Sequence, residues 1–235
     1  SESNFSRKKL SRYAEEAGRF FEAGKEPFFL SINYPDAHRP FIKSKANLPA
    51  EPLTAEQVKT MAYIGLESEG LRQQVADYYN CMARLDALVG ELLAKLKASG
   101  KYDDTLIVYM GDHGADLIRG KRTCYEGGVR IPLIVRWPKG RAGQVRRDLV
   151  STLDLFPTFL EVSGGESVPD LPGRSLLPLL RGDTPKWRKY MPTEYHLHSA
   201  HNYYPQRAIR NERYKLIENL QPGEVDPGYE FTVKR

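Results

Sequence analysis

Cysteine is scarce in this chain. Two residues in 235, Cys81 and Cys124, cannot build a disulfide scaffold, and nothing in their positions gives ground for pairing them. Uninterrupted apolar runs of membrane-spanning length are missing, and no signal peptide opens the chain. No internal repeat is evident. Acidic residues are in the minority, 30 against 35 Lys and Arg, for a formal net charge of +5 and a pI near 9.1. So small a basic excess suits anionic partners but gives no reason to expect nucleic acid, and it says nothing about fold.

What is present is the makeup of a folded globular protein. Hydrophobic residues make up 40% and charged residues 28%, in a length that suits one large domain or one and a half ordinary ones. Residues 1 to 24 carry Leu10, Tyr13, Ala17, Phe20 and Phe21 at helical spacing, with Gly24 as a stop. The apolar run Phe28 to Asn33 reads as a short strand. It leads into Tyr34-Pro35-Asp36-Ala37-His38-Arg39-Pro40, too proline-rich for helix or central strand. Thr54-Ala55-Glu56-Gln57 has capping-box form. A long helix is predicted from about Leu71 to Ser99, striped by Val75, Tyr78, Met82, Leu85, Val89, Leu92 and Leu96 and stopped at Gly100.

The most informative stretch runs from Thr105 to Trp137. Leu106 to Tyr109 reads as a buried parallel strand, and it drops into the turn Gly111-Asp112-His113-Gly114. A polar loop with Lys121 and Arg122 follows, then Tyr125-Glu126-Gly127-Gly128, then a second apolar run, Ile131 to Val135. In open α/β sheets ligands sit beyond the carboxyl ends of strands, which is where Asp112 and His113 fall. Asp36 and His38 also follow a predicted strand end. The order helix, strand, helix, strand, strand predicts an α/β layered domain, with a mostly parallel sheet flanked by helices.

Beyond Trp137, residues Lys139 to Arg147 form a basic, glycine-containing loop, and Val150 to Val162 a helix started by Asp154 and Pro157. Ser175 to Leu180 is a short helix ending at Gly182. After a composition shift at Asp183 to Lys189 comes a His- and Tyr-rich segment, and the alternation around Asn211-Glu212 predicts an antiparallel hairpin. Gln221 to Arg235 reads as an open tail.

The pattern G-D-H-G followed by K-x-x-x-Y-E-G-G-x-R-x-P-L-I-V closely resembles the sulfatases, within the wider alkaline-phosphatase-like superfamily. The Asp154-Leu-Phe-Pro-Thr segment resembles a further sulfatase motif. The Tyr-Tyr-Pro-x-Arg207 run and the R-x-x-R-x-x-x-Y-K-L-I after it resemble the heparan N-sulfatase (sulfamidase) branch. The resemblance implies that residues 1–185 are the later part of the family's α/β domain. It implies that 186–235 begin its smaller antiparallel-sheet domain.

Asp112 offers a hard oxygen suited to calcium or magnesium, and His113 widens the choice to zinc or manganese. The resemblance makes both of them metal ligands, with calcium the family's usual ion. It also implies that His38 and Lys121 bind the sulfate and that His38 protonates the leaving group. Fixed cations around the sulfate oxygens are the obvious way to stabilise charge developing there. His196 and His198 alternate, which permits a second metal site. The sharper implication of the resemblance is that His198 and Arg207, with Asp36, face a sulfated saccharide. By resemblance the compartment is periplasmic, secreted or lysosomal. The residues leave the oligomeric state open.

The family's nucleophile, a formylglycine made from Cys or Ser in C/S-x-P-x-R, has no counterpart here. Cys124 is followed by Tyr-Glu-Gly, and Asp170-Leu-Pro-Gly-Arg174 has the spacing but the wrong first residue. The implied position of the chain is therefore the later part of a sulfatase, with an N-terminal portion outside it and no activity for this chain alone. A phosphodiesterase or phosphonate monoester hydrolase of the same superfamily and a non-catalytic glycan-binding remnant are the alternatives.

Overall fold

The computed structural model describes residues 10–24, 26–198 and 203–227. Residues 1–9, His201 and the end of the tail, all read above from the sequence, lie outside them. The chain forms two compact units, residues 1–105 with 115–118, and residues 106–114 with 119–235.

The first unit is organised by helices α1 (Arg12–Glu22) and α2 (Glu69–Ala98). Ser68 caps α2 by accepting a hydrogen bond from the Leu71 N–H at 3.2 Å, and Gly100 ends it at φ 74°, a conformation that glycine adopts without a Cβ penalty. The buried face of α2 is Val75, Ala76, Asn80, Cys81, Arg84, Leu85, Leu88 and Leu96. It shares Val75, Leu85 and Leu96 with the predicted stripe, but it takes in the polar Asn80 and Arg84 and leaves Met82, Val89 and Leu92 half-buried. Asn80 is admitted because its amide makes two bonds to the Leu53 backbone, at 2.7 and 3.0 Å. Val75 and Ala76 pack with Val58, Ile64 and Leu117 in the core of this unit. The predicted capping box forms at residues 54–57, where the Gln57 side chain accepts from the Thr54 N–H at 2.9 Å. The run 28–33 corrects the prediction: it has no ladder partner among the described residues, and Phe29 is 72% exposed.

In the second unit, β1 (Ile107–Met110) pairs antiparallel with β2 (Leu133–Arg136), Val108 facing Val135 and Met110 facing Leu133. This differs from the parallel, fully buried strands predicted. Parallel strands need a crossover, usually a helix of several turns, and the segment between these two holds only the four-residue helix α3 (Glu126–Val129). No parallel pair occurs among the described residues. Then come α4 (Leu155–Val162), α5 (Leu177–Arg181) and a three-stranded antiparallel sheet of β3 (Met191–Leu197), β4 (Tyr203–Arg210) and β5 (Lys215–Asn219), in the order β3-β4-β5. The predicted hairpin at Asn211 joins β4 to β5, and Gly182 ends α5 at φ 93°.

Residues 186–235 fall in the same compact unit as 119–185. Specific bonds knit this sheet to the preceding segment. Lys215 on β5 donates to the Cys124 carbonyl at 2.7 Å, and Arg210 on β4 binds Glu126 at 2.8 Å.

Candidate functional site

The turn after β1 and the Tyr125-Glu-Gly-Gly segment lock together through glycine. The Gly114 N–H donates to the Gly128 carbonyl at 2.9 Å. A Cβ on Gly114 would fall 1.7 Å from the Gly127 carbonyl oxygen, and one on Gly128 would fall 2.4 Å from the Thr123 oxygen and 2.5 Å from the Gly120 oxygen. Gly128 is thus where the backbone of the Asp112–Gly114 turn meets the loop that carries Lys121. Only residues without side chains allow that approach.

On this frame Asp112 is exposed, its side chain 85% accessible. One carboxylate oxygen accepts the His113 N–H at 2.9 Å, and the other lies 3.5 Å from His113 Nε2. His113 Nδ1 lies 2.8 Å from the Gly114 carbonyl. A carbonyl can only accept, so Nδ1 carries a proton and leaves Nε2 as the ring atom nearer the carboxylate. Two donor atoms of metal-ligand type, with the tautomer fixed by a backbone carbonyl, fit part of a divalent-cation shell. No cluster of three or more His, Cys, Asp or Glu suited to a metal exists among the described residues.

Lys121 is buried, 6% exposed, and Arg122 is 9% exposed at φ 71°. Both residues are thus buried although the loop reads as polar in the sequence. Cys124 is fully buried, with its N–H on the Gln206 side chain at 3.1 Å, and burial raises its thiol pKa. A thiol so placed is a poor nucleophile. Glu126 is bound by Arg210 at 2.8 Å and Lys215 at 2.6 Å. Burial works against its charge, but Lys215 and then Arg210 outweigh it and lower its pKa.

In the first unit, Asp36 does not present a carboxylate to a ligand. Its side chain is fully buried, and Arg84 engages both oxygens, at 2.7 and 3.0 Å. Arg84 also donates to the carbonyls of Ile42 at 3.0 Å and Leu48 at 3.3 Å. A paired, hydrogen-bonded charge is the only kind the interior accepts. Asp36, expected from the sequence to face the saccharide, is here the buried partner of Arg84. Arg39 is held as firmly, donating to the Asp116 carbonyl at 2.9 Å and to Gln74 at 2.8 Å while covering the Phe41 ring at 4.8 Å. His38 sits exposed between these two anchors, its Nδ1 2.6 Å from the Arg39 carbonyl. Nδ1 therefore carries a proton there too.

His198 is exposed at the end of β3, and Arg207 is exposed on β4 between its register partners Glu194 and Glu218. His196, considered for a second metal, lies 3.4 Å from Glu194 instead. The Asp154 segment is structural: its carboxylate is fully buried and bound by Arg188 at 2.5 and 2.6 Å, by the Ser151 N–H at 2.7 Å and by the Arg174 N–H at 2.8 Å. The Asp170-to-Arg174 stretch is thereby a backstop for Asp154. Residue patterning missed Arg84, Arg39, Asp116 and Glu126. Only an arginine on the apolar face of α2 hinted at the first.

Comparison with known proteins gives a consistent answer. The family model described as Sulfatase matches residues 9–165, and that described as N-sulphoglucosamine sulphohydrolase, C-terminal, matches residues 111–229. An ulvan-active sulfatase of Formosa agariphila is 35% identical over 156 residues, covering 64% of this chain and 30% of that protein. The multifunctional alkaline phosphatase superfamily protein PehA of Trinickia caryophylli is 30% identical over 224 residues, 79% of this chain and 44% of that protein. The N-sulphoglucosamine sulphohydrolase of Homo sapiens is 29% identical over 224 residues, 83% of this chain and 44% of that protein. Among solved structures, Ps i-CgsB aligns with a TM-score of 0.69 at 26% identity, over all of this chain and 51% of its own. A protein solved with its substrate D-glucosamine-2-N,6-O-disulfate aligns with a TM-score of 0.55 at 31% identity, over 68% of this chain and 35% of its own. The chain therefore spans 30% to 44% of the length of the three curated relatives.

Proposed function

The chain belongs to the sulfatase family, and from that premise we propose that the full-length protein removes sulfate from a sulfated amino sugar such as the N-sulfoglucosamine of heparan-like glycans. The observation that carries the reading is the glycine lock between Gly114 and Gly128, which joins the Asp112-His113 turn to the loop bearing the buried Lys121. Likeness to the human sulphohydrolase and to the glucosamine-disulfate complex supports the sugar class.

Three tasks fall to this chain's residues. Lys121 sets a compact positive charge against sulfate oxygens, where charge grows as the sulfur–oxygen or sulfur–nitrogen bond breaks. In the net reaction the oxygen of water bonds to sulfur as that bond breaks, the electron pair passes to the sugar heteroatom, and the heteroatom takes the proton from Nε2 of protonated His38. The Arg39 carbonyl keeps Nδ1 of that ring as a donor throughout, so the proton that leaves is the one on Nε2. His198 and Arg207 meet the sugar and its acidic neighbours. Asp112 and His113 would supply two donors to a divalent cation, which when bound would draw further charge from the sulfate oxygens. The family generally uses calcium and a formylglycine, and no C/S-x-P-x-R precursor occurs in these 235 residues.

A second reading, hydrolysis of phosphodiesters or phosphonate monoesters, is favoured by His113 and by likeness to PehA and to a phosphonate monoester hydrolase of Silicibacter pomeroyi (28% identity, TM-score 0.57, 66% of this chain and 34% of that one). Steady-state kinetics on paired sulfate and phosphonate substrates, with metal analysis of the full-length protein, separates the two. Sulfate turnover with one calcium supports the first reading, and phosphonate preference with two zinc or manganese ions supports the second.

A further inference from the structure

A cleft of about 570 Å³ opens in the second unit between residues 148–149, residues 187–190 and the turn 211–214. That volume falls within the roughly 300–1,000 Å³ typical of small-ligand sites. No residue assigned above to sulfate, sugar or metal lines it.

The floor of the cleft is fixed and its charges are matched. Trp187 donates its indole N–H to the Leu149 carbonyl at 2.8 Å. Arg188 is tied to buried Asp154, and Asp148 is tied to Arg146 at 2.9 Å. The rim is different. Tyr190 is 58% exposed and Tyr214 65% exposed, and Lys189 and Arg213 are exposed with no ion pair among the described residues. The turn that carries two of these four is preorganised. Asn211 accepts from the Arg213 and Tyr214 N–H groups at 2.8 and 2.7 Å, and its own N–H donates to the Tyr214 carbonyl at 2.9 Å.

Two exposed tyrosine rings, Tyr190 and Tyr214, the latter already carrying the Arg213 guanidinium 5.1 Å from its centroid, offer flat apolar surface to a sugar ring, and Lys189 and Arg213 beside them suit sulfate or carboxylate groups on that ring. We infer that this cleft is a subsite for a further anionic sugar ring of a polymeric substrate. The inference rests on the sulfated-saccharide reading, and binding tests it independently of catalysis. Single-stranded nucleic acid could also stack on the tyrosines, but two cations, with the Glu212 carboxylate on the same rim, make a weak track for a continuous phosphate backbone.

The test is calorimetric titration of the full-length protein with sulfated hexasaccharides derived from heparin and from ι-carrageenan. Lys189→Ala combined with Tyr214→Ala should raise the Kd of the bound hexasaccharide about tenfold, or ~1.4 kcal/mol. Glu212→Gln should lower it, since it removes the one carboxylate on the rim turn. Turnover of a sulfated monosaccharide should stay at the wild-type level in both variants. The substituted positions are exposed, so folding is not at stake. The subsite is overturned if wild type binds neither hexasaccharide, if the double variant leaves Kd unchanged, or if an octathymidylate binds as tightly as the sugar. Hexasaccharide binding with no sulfate release would uphold the subsite and sink the catalytic reading.

Discussion

Asp36 and Arg84 stand 48 residues apart in the chain and share two hydrogen bonds, at 2.7 and 3.0 Å, with neither side chain more than 1% exposed. This pair ties the loop carrying His38 to helix α2. Removing one partner strands a buried charge, a loss of about 3–5 kcal/mol in comparable cases. Arg84→Met alone and Asp36→Leu alone should therefore cost that much each in urea unfolding. The double variant should recover part of the loss, because no charge is then left unpaired. Additive losses would show that each residue is held by other contacts.

The lock between Gly114 and Gly128 predicts a steep penalty for the smallest side chain. Gly114→Ala puts a methyl group 1.7 Å from a backbone oxygen, so the turn must open. The expected result is lost sulfatase turnover and a lowered Tm. Gly70→Ala is the control: it lies in the first turn of α2 with nothing within 4 Å of its Cβ, and alanine favours helix by up to about 1 kcal/mol. A Gly114→Ala protein with wild-type Tm and turnover would disprove the lock.

Glu126 should make the protein sensitive to acid. Its pKa is held below the ordinary 4.5 because Lys215 and Arg210 outweigh the effect of burial. A carboxylate with a depressed folded-state pKa contributes stability above its unfolded pKa, and that contribution is lost as pH falls through the folded value. Below about pH 4.5, wild type should lose stability along a steeper curve than Glu126→Gln. The same slope in both proteins, followed by Tm against pH, would remove Glu126 from the account.

Cys81 and Cys124 are free and buried, and burial raises the pKa of both thiols. Neither should react with a maleimide until the protein unfolds, and labelling should track the unfolding transition. Fast labelling of Cys124 in the native protein would contradict its placement against Gln206.

Much of the local structure was legible in the sequence, because it depends on neighbours. Gly100 and Gly182 stop helices, Thr54 and Gln57 form the capping box, and the chain turns at Asn211. Pairings over distance were not legible. Nothing near Arg84 in sequence announces Asp36, and an arginine on an apolar stripe contradicts hydrophobic periodicity unless its partner is known. The antiparallel pairing of β1 with β2 was not legible for a similar reason, since an apolar run carries no sign of which strand it will pair with. At the candidate site, the residue types of Asp112, His113 and Lys121 were visible. The burial of Lys121 and the anchoring of His38 by Arg39 required the structure.

The most direct test of the sulfatase reading is sulfate release from N-sulfoglucosamine by the full-length protein, compared across wild type, Lys121→Ala and Lys139→Ala. Loss of one electrostatic donor of this kind costs about 2.7–4 kcal/mol, roughly a hundredfold to a thousandfold in kcat. Lys121→Ala should fall by that factor while remaining folded. Lys139, on the exposed loop after β2, should be dispensable. No sulfate release by wild type from this or any other sulfated saccharide, or equally small effects at both lysines, would contradict the account.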